Sequence, residues 1–476
     1  MIDIKNFSFS YYGENKKSLD SINLSITKGE FIVITGDSGC GKSTLALCMG
    51  GFLRNKGENK GSLKVQDIDV FSEEIFEISK KVGIIQQDPE GQICTLRVKN
   101  EVAFGLENLM ISPEEINEKL GYYLKMVGIE DLKNRDVFSL SGGEKQKVAI
   151  ASVMAMEPEI LIFDEPTSNL DPVATKEIFK TISEIKKRTN ITIIVIEHKL
   201  GYLEGLWDRI IFMEKGKIKE ICKKCSKKTY FAWNNHGNGH LGKSLINIQN
   251  LSFEKNGKKI LSDINLSLKE GEIVSVIGKN GSGKTTLLLH LLGIYRPSYG
   301  EVKIMGNDTR NTNVSKLSKN VGYVFQNPNH QIFEETVWRE LNFGPKNFGI
   351  EFSNGESILK DFQLDEYQSK SPQELSFGEK RRLNIASIKA CDPKIIILDE
   401  PFVGQDDRNT ELILNWIDNE RKNGKIIIYV SHDPRILSSR EDRILFLQDG
   451  RIVADGKKEE VINVLRDLSF DEFFSG

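Results

Sequence analysis

Short apolar runs recur along the chain, each closed by glycine or by polar residues. FIVITG (Phe31–Gly36) and EIVSVIG (Glu272–Gly278) are continuous and β-branched rather than alternating. That pattern suits strands covered on both faces. Each run leads into a glycine-rich turn and then an apolar segment, TLALCMGG or TLLLHLLG, which reads as a helix closed by glycine. EILIFDE, KIIILDE, ITIIVIEH and KIIIYVSH repeat the buried-strand pattern. SPEEINEKLGYYLKMVG has helical spacing instead, with Ser112 and Pro113 at its start. The alternation predicts an α/β fold, mainly parallel in its sheet, with a helical insertion.

The pattern is written twice. INLSITKGEFIVITGDSGCGKST (Ile22–Thr44) matches INLSLKEGEIVSVIGKNGSGKTT (Ile264–Thr286). VGIIQQDPEGQI matches VGYVFQNPNHQI, EVAFGLENL matches ELNFGPKNF, and EILIFDEP matches KIIILDEP, in the same order. The repeat is far longer than that of a solenoid, so two homologous domains are expected. Their expected limits are residues 1–220 and 244–476, joined by a linker over 221–243 that is rich in Lys, Asn and Gly. The linker holds Cys222, Cys225, His236 and His240. Their order resembles a zinc-ligand set, but the middle spacing is short, and a coincidental grouping is the simpler reading.

Composition narrows the class. A chain of 476 residues, 39% hydrophobic and 28% charged, is globular in composition and long enough for several cores. The net charge of −3, with both signs interspersed, argues against a dedicated nucleic-acid binder. No apolar run is long enough to span a membrane, and MIDIKNFSFSYY has no secretory pattern. Six scattered cysteines make no disulfide framework, so a reducing cytoplasm is expected. Any membrane role would come through a partner.

The glycine-rich turns carry the chemistry. Gly36, Asp37, Ser38, Gly39, Cys40, Gly41, Lys42 and Ser43 fit G-x-x-x-x-G-K-[ST], as do Gly278, Lys279, Asn280, Gly281, Ser282, Gly283, Lys284 and Thr285. Thr44 and Thr286 follow directly. Glycines let successive N–H groups face phosphate oxygens, and the next helix adds its positive end. Lys42 and Lys284 would reach the β- and γ-phosphates, and Ser43 and Thr285 would ligate Mg²⁺. Asp164 and Asp399 end apolar strands where a carboxylate holds the same ion, and Glu165 and Glu400 are placed to polarise an attacking water. Alone, an Asp-Glu pair at a strand end is an ordinary loop start; its register with a phosphate loop, twice, argues for function. His198 and His432 follow further strands and are candidates for a γ-phosphate contact. Gln87 and Gln326 precede Asp-Pro and Asn-Pro and are candidates for Mg²⁺ or water contact, although a turn-starting glutamine is a plausible alternative.

Taken with LSGGE (Leu140–Glu144) and LSFGE (Leu375–Glu379), this set resembles two ATP-binding-cassette (ABC) ATPase domains fused in one chain. The segments after Gln87 and Gln326 resemble, more narrowly, the ATPases of energy-coupling-factor importers of vitamins and transition-metal ions. The resemblance implies two P-loop domains, each with a parallel core, an antiparallel β part and a helical subdomain. It implies ATP hydrolysis with Mg²⁺, and head-to-tail pairing in which each nucleotide meets the other half's signature. Ser141, Gly142 and Gly143, and Ser376 and Gly378, are the signature residues in question. Tyr11 falls where the family stacks an aromatic on adenine; Lys255 is the aligned residue, with Phe253 nearby. Phe377 replaces a signature glycine, and its bulk is expected to crowd or redirect the approach of the backbone to a phosphate. The Asp loops differ too, SNLD (Ser168–Asp171) against VGQD (Val403–Asp406). An unequal pair of sites is therefore expected, with the Lys284/Glu400 site dominant. Implied partners are a transmembrane coupling protein and a membrane-embedded substrate-binding subunit, with this chain peripheral on the cytoplasmic face. The groove beside Gln87–Leu109 and Gln326–Phe348 is the expected docking surface, unless Phe104, Phe333, Trp338 and Phe343 belong to the core. A soluble tandem cassette acting on ribosomes is the rival; it would be expected to carry a long charged helical linker and two intact signatures.

Overall fold

The computed structural model describes residues 1–13, 17–168, 170–198, 200–223, 241–439, 443–468 and 470–474. The chain divides into two compact units, residues 1–229 and 230–476. The candidate zinc set lies largely outside the described residues, since Cys225, His236 and His240 fall there.

Each unit holds a six-stranded sheet and a four-stranded antiparallel sheet among the described residues. In the first unit the larger sheet runs Lys217–Lys223, Arg209–Glu214, Phe31–Gly36, Thr192–Ile196, Ile160–Asp164, Val82–Ile85. Every neighbouring pair is parallel except the first. In the second unit the same order is Arg451–Gly456, Arg443–Gln448, Ile273–Ile277, Ile426–Val430, Ile395–Asp399, Val321–Val324. Lys217–Lys223 extends past residue 220 because Ile221, Cys222 and Lys223 pair with Ile211, Ile210 and Arg209.

Continuous apolar runs make sense in this sheet because both of its faces are covered. Phe31 and Val33 pack among the helices of the insertion, whereas Ile32 and Ile34 face the antiparallel sheet and helix Lys42–Met49. Leu161 and Phe163 join the first layer, and Ile160 and Ile162 the second. The second unit is layered the same way, Val274 and Val276 on one side and Ile273 on the other.

The insertion begins where sequence spacing places it. Ser112 caps helix Pro113–Met126 by accepting from the Glu115 N–H at 3.3 Å, with Pro113 in the first turn. Strands and insertion thus form a rigid frame, and the parallel strands deliver their C-terminal ends to one edge of the sheet.

Candidate functional site

The phosphate-loop, glutamine, Asp-Glu and histidine candidates of each unit sit at or just beyond that edge, where ligands bind in α/β sheets. Gly36 (φ 146°) and Gly278 (φ 147°) open the phosphate loops in conformations closed to other residues. A Cβ there would lie 2.1 Å from the Met213 carbonyl oxygen and 2.2 Å from that of Leu447. Gly41 and Gly283 are N-caps of helices Lys42–Met49 and Lys284–Leu291 and bring no capping side chain. The first-turn N–H groups therefore have no side-chain acceptor, which is the arrangement that takes a phosphate.

Both lysines are buried and held by the loop itself. Lys42 Nζ donates to the Gly36 and Asp37 carbonyls at 2.8 and 2.9 Å. Lys284 Nζ donates to those of Gly278 and Lys279 at 2.7 and 2.9 Å. Asp37, Gly39, Lys279, Asn280 and Gly281 are exposed on the rim, Cys40 and Ser282 are buried beneath it, and Ser38, Thr44 and Thr286 are half-buried. Burial pushes the Cys40 thiol up from its ordinary range, so it is no nucleophile.

Ser43 Oγ donates to Asp164 Oδ1 at 3.0 Å, and Thr285 Oγ1 to Asp399 Oδ2 at 3.0 Å. Burial and then the Glu165 charge push Asp164 up to about 6; burial and Glu400 raise Asp399 as well. These oxygen ligands, with like charge crowding the carboxylates, fit a hard divalent cation such as Mg²⁺.

Glu165 and Glu400 both adopt left-handed backbone conformations, φ 45° and 55°. Such a conformation at matched non-glycine positions is a strained geometry that the surrounding fold must enforce. It aims each carboxylate at the histidine. His198 Nε2 lies 3.3 Å from Glu165 Oε1, and His432 Nε2 lies 2.9 Å from Glu400 Oε1. Gln87 Nε2 donates to Glu165 Oε2 at 3.3 Å, so three candidates of the first unit converge. Gln326 has an exposed side chain, and its carbonyl accepts from Arg381.

Sequence reasoning passed over two side chains in the second unit. Tyr323 Oη donates to Asp399 Oδ2 at 2.9 Å, where the aligned residue of the first unit is Ile84. Arg381 is fully buried and donates from Nη1 to the Phe325 carbonyl at 2.6 Å and the Asp399 carbonyl at 3.3 Å. Burial lowers its pKa to about 10 against the pull of Glu400 and Asp399. Arg381 thereby ties the signature helix to the glutamine loop and the Asp399 strand. The charged pair of residues in LSFGEKRR was the available signal, but a lysine-rich surface turn reads the same way.

Ser141 and Ser376 are exposed N-caps of helices Gly142–Ala155 and Phe377–Cys391. In each, the serine Oγ–H donates to the glutamate three residues on at 2.7 Å, and the serine N–H does so at 2.8 Å. This is a capping box, legible in S-x-x-E. Burial opposes ionisation of Glu144, but the Ser141 hydrogen bonds hold its carboxyl below the usual range. Gly143 and Gly378 lie in the first turn.

The backbone at the second signature follows the course of the first. Ser376 (φ −61°, ψ 162°) matches Ser141 (φ −66°, ψ 160°), and neither Phe377 nor Gly142 needs a positive φ. The ring turns aside, beside Gly404 and with the Arg381 guanidinium 5.4 Å from its centroid. A Cβ on Gly142 would meet Leu170 at 3.3 Å; in the second unit Gln405 is aligned there and donates to the Gly378 carbonyl at 2.9 Å.

Tyr11 is half-buried beside the first phosphate loop, its Oη 3.4 Å from Thr44 Oγ1. In the second unit Phe253 is core, and the partly exposed aromatic is Tyr295, which accepts from Lys255 Nζ at 3.0 Å. Phe104, Phe333 and Phe343 are exposed rather than core, and Trp338 is half-buried.

The model of the ABC transporter family matches residues 19–168 and 261–403, spanning both phosphate loops and both Asp-Glu pairs. The chain belongs to that family. This ABC protein is an ATPase with two such domains. A Methanosarcina mazei protein provisionally named an ABC transporter ATP-binding protein is 35% identical over 96% of this chain and 95% of its own. One of Caldanaerobacter subterraneus subsp. tengcongensis, with the same provisional name, is 35% identical over 97% of this chain and 92% of its own. A Bacillus subtilis protein with the provisional name HMP/thiamine import ATP-binding protein YkoD is 33% identical over 97% of this chain and 92% of its own.

Proposed function

We propose that this ABC ATPase powers a membrane importer of the energy-coupling-factor type, for a vitamin or a transition-metal ion. The supporting observation is an exposed aromatic surface beside each glutamine loop, Phe104 in the first unit and Phe333 with Phe343 in the second. Phe333 and Phe343 meet edge to face at 5.1 Å, and Glu340 fixes the loop by accepting from the Phe333 and Glu334 N–H groups at 3.0 and 2.9 Å. Apolar rings held on a rigid loop are what a partner's helix would dock against. The relative named for HMP/thiamine import favours a vitamin cargo. Among the described residues no helix is long and apolar enough to cross a membrane, so separate membrane subunits would form the path.

In this reading the phosphate loops bind ATP through their N–H groups and lysines. Ser43, Asp164 and Gln87, and Thr285, Asp399 and Gln326, would hold Mg²⁺, whose chemistry is neutralisation of charge on the β- and γ-phosphate oxygens. Glu165 and Glu400 orient the attacking water. His198 and His432 hold those carboxylates and offer a hydrogen bond to the γ-phosphate. The signature caps supply serine hydroxyls and helix N-termini for the same group.

The test is isolation of the native protein from membranes. The expected outcome is recovery with integral membrane subunits, and loss of that association in a Phe104→Asp/Phe333→Asp variant. Recovery with ribosomes instead overturns the proposal.

A further inference from the structure

The second unit carries a structural element that the glycine loops and strand ends do not account for. After the hairpin of Arg443–Gln448 and Arg451–Gly456, helix Lys458–Asp467 leads into a turn closed by the Phe470 N–H donating to the Leu465 carbonyl at 2.8 Å. A short 3₁₀ turn, Asp471–Phe473, follows. It places Phe470 and Phe473 against Phe446, with ring centroids 5.3 and 5.6 Å away. Phe446 and Phe473 are fully buried.

This cluster touches two loops of the candidate site. The Phe473 ring lies 6.3 Å from the His432 imidazole, tilted at 51°. Lys279, in the phosphate loop, places its Nζ 4.7 Å from the Phe470 centroid. Among the described residues His432 has one polar tether, Nε2 to Glu400 at 2.9 Å. Its Nδ1 is buried and takes no hydrogen bond among the described residues. A working histidine usually has its ring fixed through the second nitrogen. Here that polar restraint is missing, and a single hydrogen bond leaves the ring free to pivot. The remaining constraint on its plane is packing, to which Phe473 contributes.

We propose that Phe473 is a positioning residue for His432, and that the 470–474 segment acts as an aromatic strap joining that histidine to the phosphate loop through Phe470 and Lys279. The proposal rests on the reading of His432 and Glu400 as reacting-site residues. Phe473 touches no reactant; it acts through the imidazole.

The experiment uses the full chain with Glu165→Gln, so that turnover reports the second site, and measures steady-state ATP hydrolysis. Phe473→Ala is expected to lower kcat about ten-fold or more while KM for ATP stays within about two-fold, since misplacing a catalytic group costs rate rather than binding. Phe473→Leu, which keeps most of the volume, should restore most of the rate. In a His432→Ala background Phe473→Ala should cost nothing further, because the group it positions is gone. An equal loss in both backgrounds means a purely structural role and overturns the proposal. So does parental kcat in Phe473→Ala when His432→Ala is inactive. If His432→Ala itself keeps full activity, the reading of the site has failed and the strap with it. Should Phe473→Ala not fold, Phe473→Val makes the same comparison with a smaller loss of volume.

Discussion

Asp164 shows how one residue carries a cost that a ligand would relieve. Its carboxylate is buried beside Glu165, and the Ser43 hydroxyl offsets only part of that penalty. With its pKa raised to about 6, the folded state holds a proton that the unfolded chain releases near pH 4. Stability of the protein without divalent cation should therefore rise as pH falls through 6 and weaken above it, because the folded state binds more protons in that window. Asp164→Asn removes the charge and should stabilise the metal-free protein at pH 7 by up to about 3 kcal/mol, since the shift is about two pKa units and each corresponds to about 1.4 kcal/mol. ATP hydrolysis at the first site should be lost. Thermal melts at pH 5 and pH 7.5, with chelator, check this; a wild-type melting temperature that increases from pH 5 to 7.5 contradicts it. Asp164 itself was legible, since an aspartate ending an apolar strand is a local signal. Tyr323 was not, because its hydroxyl meets Asp399 across two strands and nothing in VGYV announces that.

At the scale of elements, the signature turn and the Asp loop of the second unit are fitted to each other. Phe377 occupies room that exists because position 404 has no side chain: a Cβ on Gly404 would lie 2.9 Å from Phe377 Cδ1. Gly404 also holds φ 75°, so Gly404→Ala faces both a backbone and a steric penalty. We expect Gly404→Ala to destabilise the second unit by about 2 kcal/mol, and by about half that in a Phe377→Gly background, where only the backbone term survives. Denaturant unfolding of the four proteins measures the coupling. Equal losses in both backgrounds would place Phe377 elsewhere. The departure from LSGGE was visible in the sequence, but where the Phe377 ring would lodge was not. Gly142 and Phe377 both begin a helix with ordinary φ, so the position does not call for glycine's backbone freedom. What reserves position 142 for a small residue is Leu170, a contact made by folding. Helix starts, phosphate loops and buried strands were readable because each is written in contiguous residues; the Arg381 tie and the Phe473 contact depend on segments distant in sequence.

Across the whole molecule, the two sites share a list of residues and differ in their surroundings. His432 and Glu400 have side chains 8% and 9% exposed, against 20% and 17% for His198 and Glu165. The histidine–glutamate contact is also shorter in the second unit, and Tyr323 anchors Asp399 there. A carboxylate held in a drier setting needs less reorganisation to orient a water, which is where electrostatic catalysis gains most. Glu400→Gln should accordingly remove most of the ATPase activity, about ten-fold or more, while Glu165→Gln leaves more than half, as expected when one of two preorganised sites dominates turnover. The double variant should be inactive and still bind ATP, because Lys42, Lys284 and the loop N–H groups are untouched. Phosphate release and nucleotide binding measured on the three variants separate these effects. Near-equal losses from the two single variants would mean that enclosure does not set the rate and that both sites turn over alike.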